Sequence, residues 1–147
     1  MNLKYLQLLP ESNLPEITQF RPFKTVVLIE KNVSDEWRSL VSNWIIKSGC
    51  LYMMAWGKEC SAWDDSVDFA NSEEFDFEGI PEDKFVMTTW HDDEPLNEVF
   101  FFCKNLAFHP IIELKNTVIL HIFDQNKEKE ILSLYAGTEK LIYPEDI

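Results

Sequence analysis

His91 closes an apolar run and is followed at once by three acids, in the stretch FVMTTWHDDEP from Phe85 to Pro95. An imidazole beside carboxylates is suited to general-base work, because a neighbouring acid fixes the ring's tautomer and stabilises its charged form. Cys60 adds a thiol, so Cys60, His91 and either Asp92 or Asp65 could supply a nucleophile, a base and an orienting acid. Asp64, Asp65, His91 and Asp92 could instead hold a divalent ion, since hard oxygens with one imidazole suit manganese, magnesium or zinc.

Each reading meets a physical objection. Acids near a thiol raise its pKa and suppress the thiolate. Acids also gather on solvated faces, and a helix start accounts for these: Pro95 suits a first turn, with Asp93 and Glu94 near the N-cap and the positive end of the dipole. SAWD, Ser61 to Asp64, matches a capping box in the same way. His121, inside an apolar strand, reads as a hydrogen-bonded core residue, and His109 before Pro110 as a helix end. Capping leaves Trp90, His91 and Cys60 unexplained. Phosphate chemistry is poorly served: the glycines are Gly49, Gly57, Gly79 and Gly137, in neither GxGxxG nor GxxxxGK[ST] spacing. No cofactor and no resident metal are expected.

Charge is the strongest compositional fact. The chain of 147 residues carries 13 basic and 26 acidic side chains, a formal net charge of −13. Between Asp64 and Glu94 stand twelve acids and Lys84 alone, so 12 − 1 = 11 of the excess negatives lie in that segment. Such a field repels nucleic acid and anionic membranes and steers basic partners. Cys50, Cys60 and Cys103 are odd in number and lack CxxC spacing, as reduced thiols would be. The N-terminus is a poor secretory signal and nowhere do about 18 apolar residues run together, so a cytoplasmic protein is expected.

Hydrophobic pattern supplies the elements that would position these groups. KTVVLIE (Lys24 to Glu30), CLYMMAW (Cys50 to Trp56), KFVMTTW (Lys84 to Trp90) and TVILHIF (Thr117 to Phe123) read as strands buried on both faces. Trp37, Leu40, Val41, Trp44 and Ile45 fall at helical spacing, with Ser34 as N-cap and Gly49 as the stop. Leu96, Val99, Phe100, Cys103, Leu106 and Ala107 form a second stripe, and a last helix is predicted from Asn126 to Ala136. Alternation of strand and helix predicts one α/β domain over residues 1–147, a small Rossmann-like three-layer sandwich with a mainly parallel sheet of about four strands. The preferred order puts the first run between the second and third, with the fourth beyond the third. The stretch at about 57–83 reads as an acidic insertion, a short helix in SAWDDSVDF followed by the loop NSEEFDFEGIPED. LKYLQLL near the N-terminus and KLIYP near the C-terminus fit either edge strands or packed extensions.

A parallel sheet delivers every strand end to one edge, where ligand sites gather. That edge would collect Glu30 to Asn32, Gly57, Glu59, Cys60, Trp63 to Asp65, His91 to Glu94 and Asp124. It makes an acidic and aromatic rim.

AWGKECSAWDDSVDF and FVMTTWHDDEPLNEVFFF resemble the signature segments of an uncharacterised family of small acidic bacterial Rossmann-like domains, from about Phe23 to Tyr135. The resemblance brings no activity. At the level of class, a strongly acidic domain of this length is similar to the immunity proteins of bacterial toxin systems, including contact-dependent inhibition, which cover basic nucleases with acidic surfaces. The leading expectation is therefore an immunity or inhibitor domain for a basic protein such as a nuclease toxin, binding through Trp63, Asp64, Asp65, Glu73, Glu74, Asp76, Trp90, His91 and Asp92. The alternative is a Rossmann-like enzyme using His91 with Asp92, Asp64, Asp65 or Cys60. A third reading, mimicry of DNA, rests on charge alone.

Overall fold

The computed structural model describes residues 2–141. Five strands, β1 (Leu3–Leu8), β2 (Phe23–Ile29), β3 (Cys50–Gly57), β4 (Met87–His91) and β5 (Asn116–Ile122), form one sheet. The helices are α1 (Asp35–Lys47), α2 (Cys60–Glu74), α3 (Leu96–Asn105) and α4 (Glu128–Ala136). Every strand pair is parallel, so the chain is a Rossmann-like α/β sandwich.

The sheet has five strands rather than four, because LKYLQLL pairs with β5 as an edge strand. Lys140 and Leu141 belong to no strand, and the rest of KLIYP lies outside the described residues. The order is β1-β5-β2-β3-β4, not the expected one with β2 between β3 and β4. The reason lies in which face each crossover occupies. α1 and α2 pack against one another on the same face, so two right-handed crossovers step the same way, from β2 to β3 to β4. α3 covers the opposite face, which reverses the step and carries the chain back past β2 to β5.

Side chains alternate between two cores. Val27, Ile29, Met53, Ala55, Leu120 and Ile122 face Trp37, Val41, Ile45, Trp63 and Val67 of α1 and α2. Val26, Leu28, Tyr52, Met54 and Ile119 face Val99, Phe100 and Cys103 of α3, with Ile131, Leu132 and Tyr135 of α4 half-buried at the margin. The segment between β1 and β2 has only a short 3-10 turn at Thr18–Phe20 and is pinned by indoles: Trp37 Nε1 donates to the Ser12 carbonyl and Trp44 Nε1 to that of Pro15, each at 2.9 Å.

Ser34 caps α1, its hydroxyl accepting from the Trp37 N–H at 3.1 Å. The helix ends ahead of Gly49, whose φ of +100° suits glycine. Two helix starts differ from the sequence pattern. α2 begins at Cys60 behind Glu59, so Ser61 is not its cap, and it runs through Glu73 and Glu74. The acidic insertion is thus mostly an ordinary crossover helix. α3 starts behind Pro95 with no side-chain cap, and neither Asp93 nor Glu94 fills that place. No helix among the described residues is long and apolar enough to cross a membrane.

Candidate functional site

β4 delivers His91 to the C-terminal edge of the sheet on the α3 side. The ring is only 5 % exposed and stands edge-on to Phe102, with centroids 5.0 Å apart. Nδ1 lies 3.0 Å from Glu94 Oε2 and Nε2 lies 2.9 Å from Thr89 Oγ1. A carboxylate only accepts, so Nδ1 carries a proton and donates to Glu94, while Nε2 pairs with the Thr89 hydroxyl. Both nitrogens are engaged. The acids after His91 make a latch instead of a helix cap: Asp93 takes a left-handed φ of 57°, and Trp56 Nε1 donates to the Glu94 carbonyl at 2.8 Å.

Cys60 belongs to the other core. It shares the α1 and α2 face with Trp63 and Val67 and its thiol meets the main chain of His91, whereas the His91 ring packs on the α3 face. The sheet separates nucleophile from base, and burial, with the Asp92 charge adding to it, pushes the thiol above its ordinary pKa. Asp64 is also buried, at 4 % exposure, because it occupies the apolar stripe Cys60, Trp63, Val67 and Ala70 of α2. Its Oδ2 has no hydrogen-bond partner, and burial followed by the Asp68 charge pushes the carboxyl up to about 6. Asp65, one residue on, points to solvent. Among the described residues no group of three or more His, Cys, Asp or Glu is placed to hold a metal ion, so Asp64, Asp65, His91 and Asp92 do not assemble as a ligand set.

A shallow crevice of about 410 Å³ opens at this edge, lined by Glu30, Trp56, Gly57, Lys58, His91 and the Asp92–Glu94 turn. Gly57 permits it: its φ is +106°, and a Cβ there would come within 2.2 Å of the Ile29 carbonyl oxygen. Behind the crevice runs a relay that sequence reasoning missed. The Lys127 N–H donates to Tyr5 Oη at 3.0 Å, the phenol donates to His121 Nδ1 at 2.7 Å, and His121 Nε2 lies 2.5 Å from Glu30 Oε2. Each donor meets one acceptor, which places the His121 proton on Nε2, facing the carboxylate. His121 is a hydrogen-bonded core residue, as its setting in an apolar strand required. Its polarity amid TVILHIF signalled a partner, but Tyr5 could not be named without the place of β1. Lys31 and Asp124 pair at 2.9 Å nearby.

The predicted binding residues divide sharply by burial. Trp63 is fully buried, and Asp64 and His91 nearly so; none can meet a partner. Asp65, Glu73, Glu74, Asp76, Trp90 and Asp92 are exposed. Asp65, Glu73 and Glu74 belong to α2, Asp76 to the turn after it and Trp90 to β4, whereas Asp92 stands in the turn that lines the strand-end crevice. Trp90 is 54 % exposed, and Phe69 and Phe77, each 59 % exposed, contact one another at 5.3 Å between centroids. Phe85 is exposed at the approach to β4. Thr88 Oγ1 donates to Asp68 Oδ1 at 2.7 Å and ties helix to strand. The phenylalanines were legible in principle, since Phe69 falls off the buried stripe of α2.

A family model described as a domain of unknown function (DUF7684) matches residues 3–138, nearly the whole of the described chain. No curated protein and no solved structure matches it.

Proposed function

The chain belongs to the DUF7684 family of domains of unknown function, which has no activity to transfer, and we propose from its own surface that it is an acidic protein-binding domain, an immunity or inhibitor protein of bacterial origin acting in the cytoplasm. Its partner is a basic protein such as a cognate nuclease toxin. One observation carries the reading: Trp90 and the Phe69–Phe77 pair stand exposed among Asp65, Asp68, Asp76 and Asp92. Large aromatics in such a setting act as anchors, while the surrounding acids accelerate encounter with a basic surface and fix its orientation. The acids repel nucleic acid, so the nucleic-acid site of the partner is blocked by protein contact.

The test is inhibition by purified components. The basic product of a gene adjacent to this one, assayed for nucleic-acid cleavage, loses activity at a stoichiometric dose of the chain, and association slows steeply with added salt. Full cleavage at a large excess of the chain overturns the reading.

A second reading, a Rossmann-like enzyme working at the strand-end crevice, is supported by the relay from Tyr5 through His121 to Glu30. Glu30, half-exposed at the crevice, then takes the part of base that sequence reasoning gave to His91. Glu30→Gln would remove turnover under this reading and leave inhibition intact under the first.

A further inference from the structure

We propose that the free edge of β4 receives an extended segment of a basic partner as a sixth strand of the sheet. Among the described residues β4 is an outer strand of the order, paired only with β3, from Tyr52↔Met87 to Trp56↔His91, with no irregularity of register. Among the described residues, no loop backbone or side chain is hydrogen-bonded to the main chain of Met87 to Trp90 from outside the sheet. The outward N–H and C=O groups of this stretch are therefore a template for pairing.

Three of the usual protections of an edge, proline, lysine and a bulge, are missing. MTTWH has no proline, no lysine and no bulge, whereas the opposite edge strand β1 carries Lys4. The groups just before β4 are covered: His109 Nε2 donates to the Phe85 carbonyl at 2.8 Å, and the Val86 N–H donates to Asn71 Oδ1 at 2.9 Å. Covering stops where the strand begins.

Charge selects the occupant. Asp68 hydrogen-bonds Thr88 at the edge, Asp92 and Asp93 follow β4 directly, and the segment Asp64 to Glu94 holds an excess of 11 negatives. A second copy, paired edge to edge, would bring two such segments together, and like charges opposed across strands destabilise. An extended segment bearing lysine or arginine gains from the same field, and its apolar positions meet Trp90. This mode of contact rests on the basic-partner reading and adds the backbone to it.

The probe is a short synthetic peptide alternating lysine and threonine, with a glutamate and threonine counterpart. Two further lysine peptides are N-methylated on alternate residues, in either phase. Bound lysine peptide is expected to slow hydrogen exchange of outward β4 amides by about tenfold or more. One N-methylated phase should lose binding and the other keep it, because successive residues of a strand point their amides to opposite sides. Equal binding of both phases, or binding that protects no β4 amide, overturns strand addition and leaves the acidic-face reading standing. A glutamate peptide that binds as well as the lysine one removes the charge argument for both. No binding by any peptide, or β4 amides already protected in a dimer of the chain alone, also overturns the proposal.

Discussion

Glu94 folds back on His91, its Oε2 3.0 Å from Nδ1 of a ring that β4 has already buried. Two residues in a run that looks like exposed chemistry thus form a structural latch between the last residue of β4 and the start of α3. The run divides into a latch (His91 and Glu94), a turn (Asp93) and a surface acid (Asp92).

That division is measurable. Glu94→Ala leaves the buried Nδ1–H without its acceptor and should cost about 1–3 kcal/mol in urea melts. Asp93→Gly relieves a left-handed φ of 57° and should be neutral or stabilising by up to about 1 kcal/mol. If Asp93→Gly proves the costlier change, a capping role for Asp93 is restored.

Charge reversal at the end of α2 separates fold from recognition. Glu73 and Glu74 sit in the last turn, where the dipole disfavours acids and no basic residue stands. Glu73→Lys with Glu74→Lys should hold or raise stability, each helical lysine contributing about 0.3–1 kcal/mol, with Asp76 left in place at its left-handed φ of 54°. Association with a basic partner should slow and its salt dependence flatten, read by stopped flow. An unchanged salt slope would reduce these acids to a solvated face.

Much of the fold was legible because strands buried on both faces are written as unbroken apolar runs. β2, β3 and β5 fall within one or two residues of the runs KTVVLIE, CLYMMAW and TVILHIF, and Ser34 capped α1 as its position required. Strand order was not legible, because it depends on the face each helix covers, and a stripe such as Trp63, Val67 and Ala70 does not say which face. The site suffered from the same gap. The Cys60 thiol reaches the His91 main chain yet lies on the opposite face from the His91 ring, while the side chains of Tyr5 and His121, 116 residues apart, touch. Local spacing carries caps and stripes; it does not carry which side of a sheet a residue meets.

Asp64 makes stability depend on pH. Its carboxyl is pushed up to about 6 by burial and the Asp68 charge, from an ordinary 3.8. Between those values the folded chain holds a proton that the unfolded chain has released, so stability falls as pH rises through the window, and the loss is complete above about 6. Asp64→Asn should therefore stabilise at neutral pH, by an amount of order 1 kcal/mol, and give no such gain below the unfolded value. Melts at both ends of the window check the sign; an equal effect at both would assign Asp64 no titrating role.

Tyr5→Phe should break the relay at its centre. It strips the buried Nδ1 of His121 of its donor and the Lys127 N–H of its acceptor, a loss of about 1–3 kcal/mol. Burial raises the pKa of the phenol, so the relay should survive mildly alkaline conditions. Binding to a basic partner at the α2 and β4 side should be unchanged, since the relay lies across the sheet from it. Weakened binding in a variant that is still folded would join the two regions functionally.

α4 buries none of its residues fully. It is held by Ile131, Leu132 and Tyr135, half-buried against the α3 core, by the Lys127 bond to Tyr5, by the edge contact of Tyr135 with Phe100 at 5.1 Å, and by Lys104 at 4.6 Å over the Tyr135 ring. With no residue fully buried, α4 is expected to exchange its amides ahead of the α1 and α2 core, through an opening short of complete unfolding. Such an opening would let water reach His121 and Tyr5 from behind, so the histidine relay should meet solvent on a faster clock than the scaffold under the acidic face.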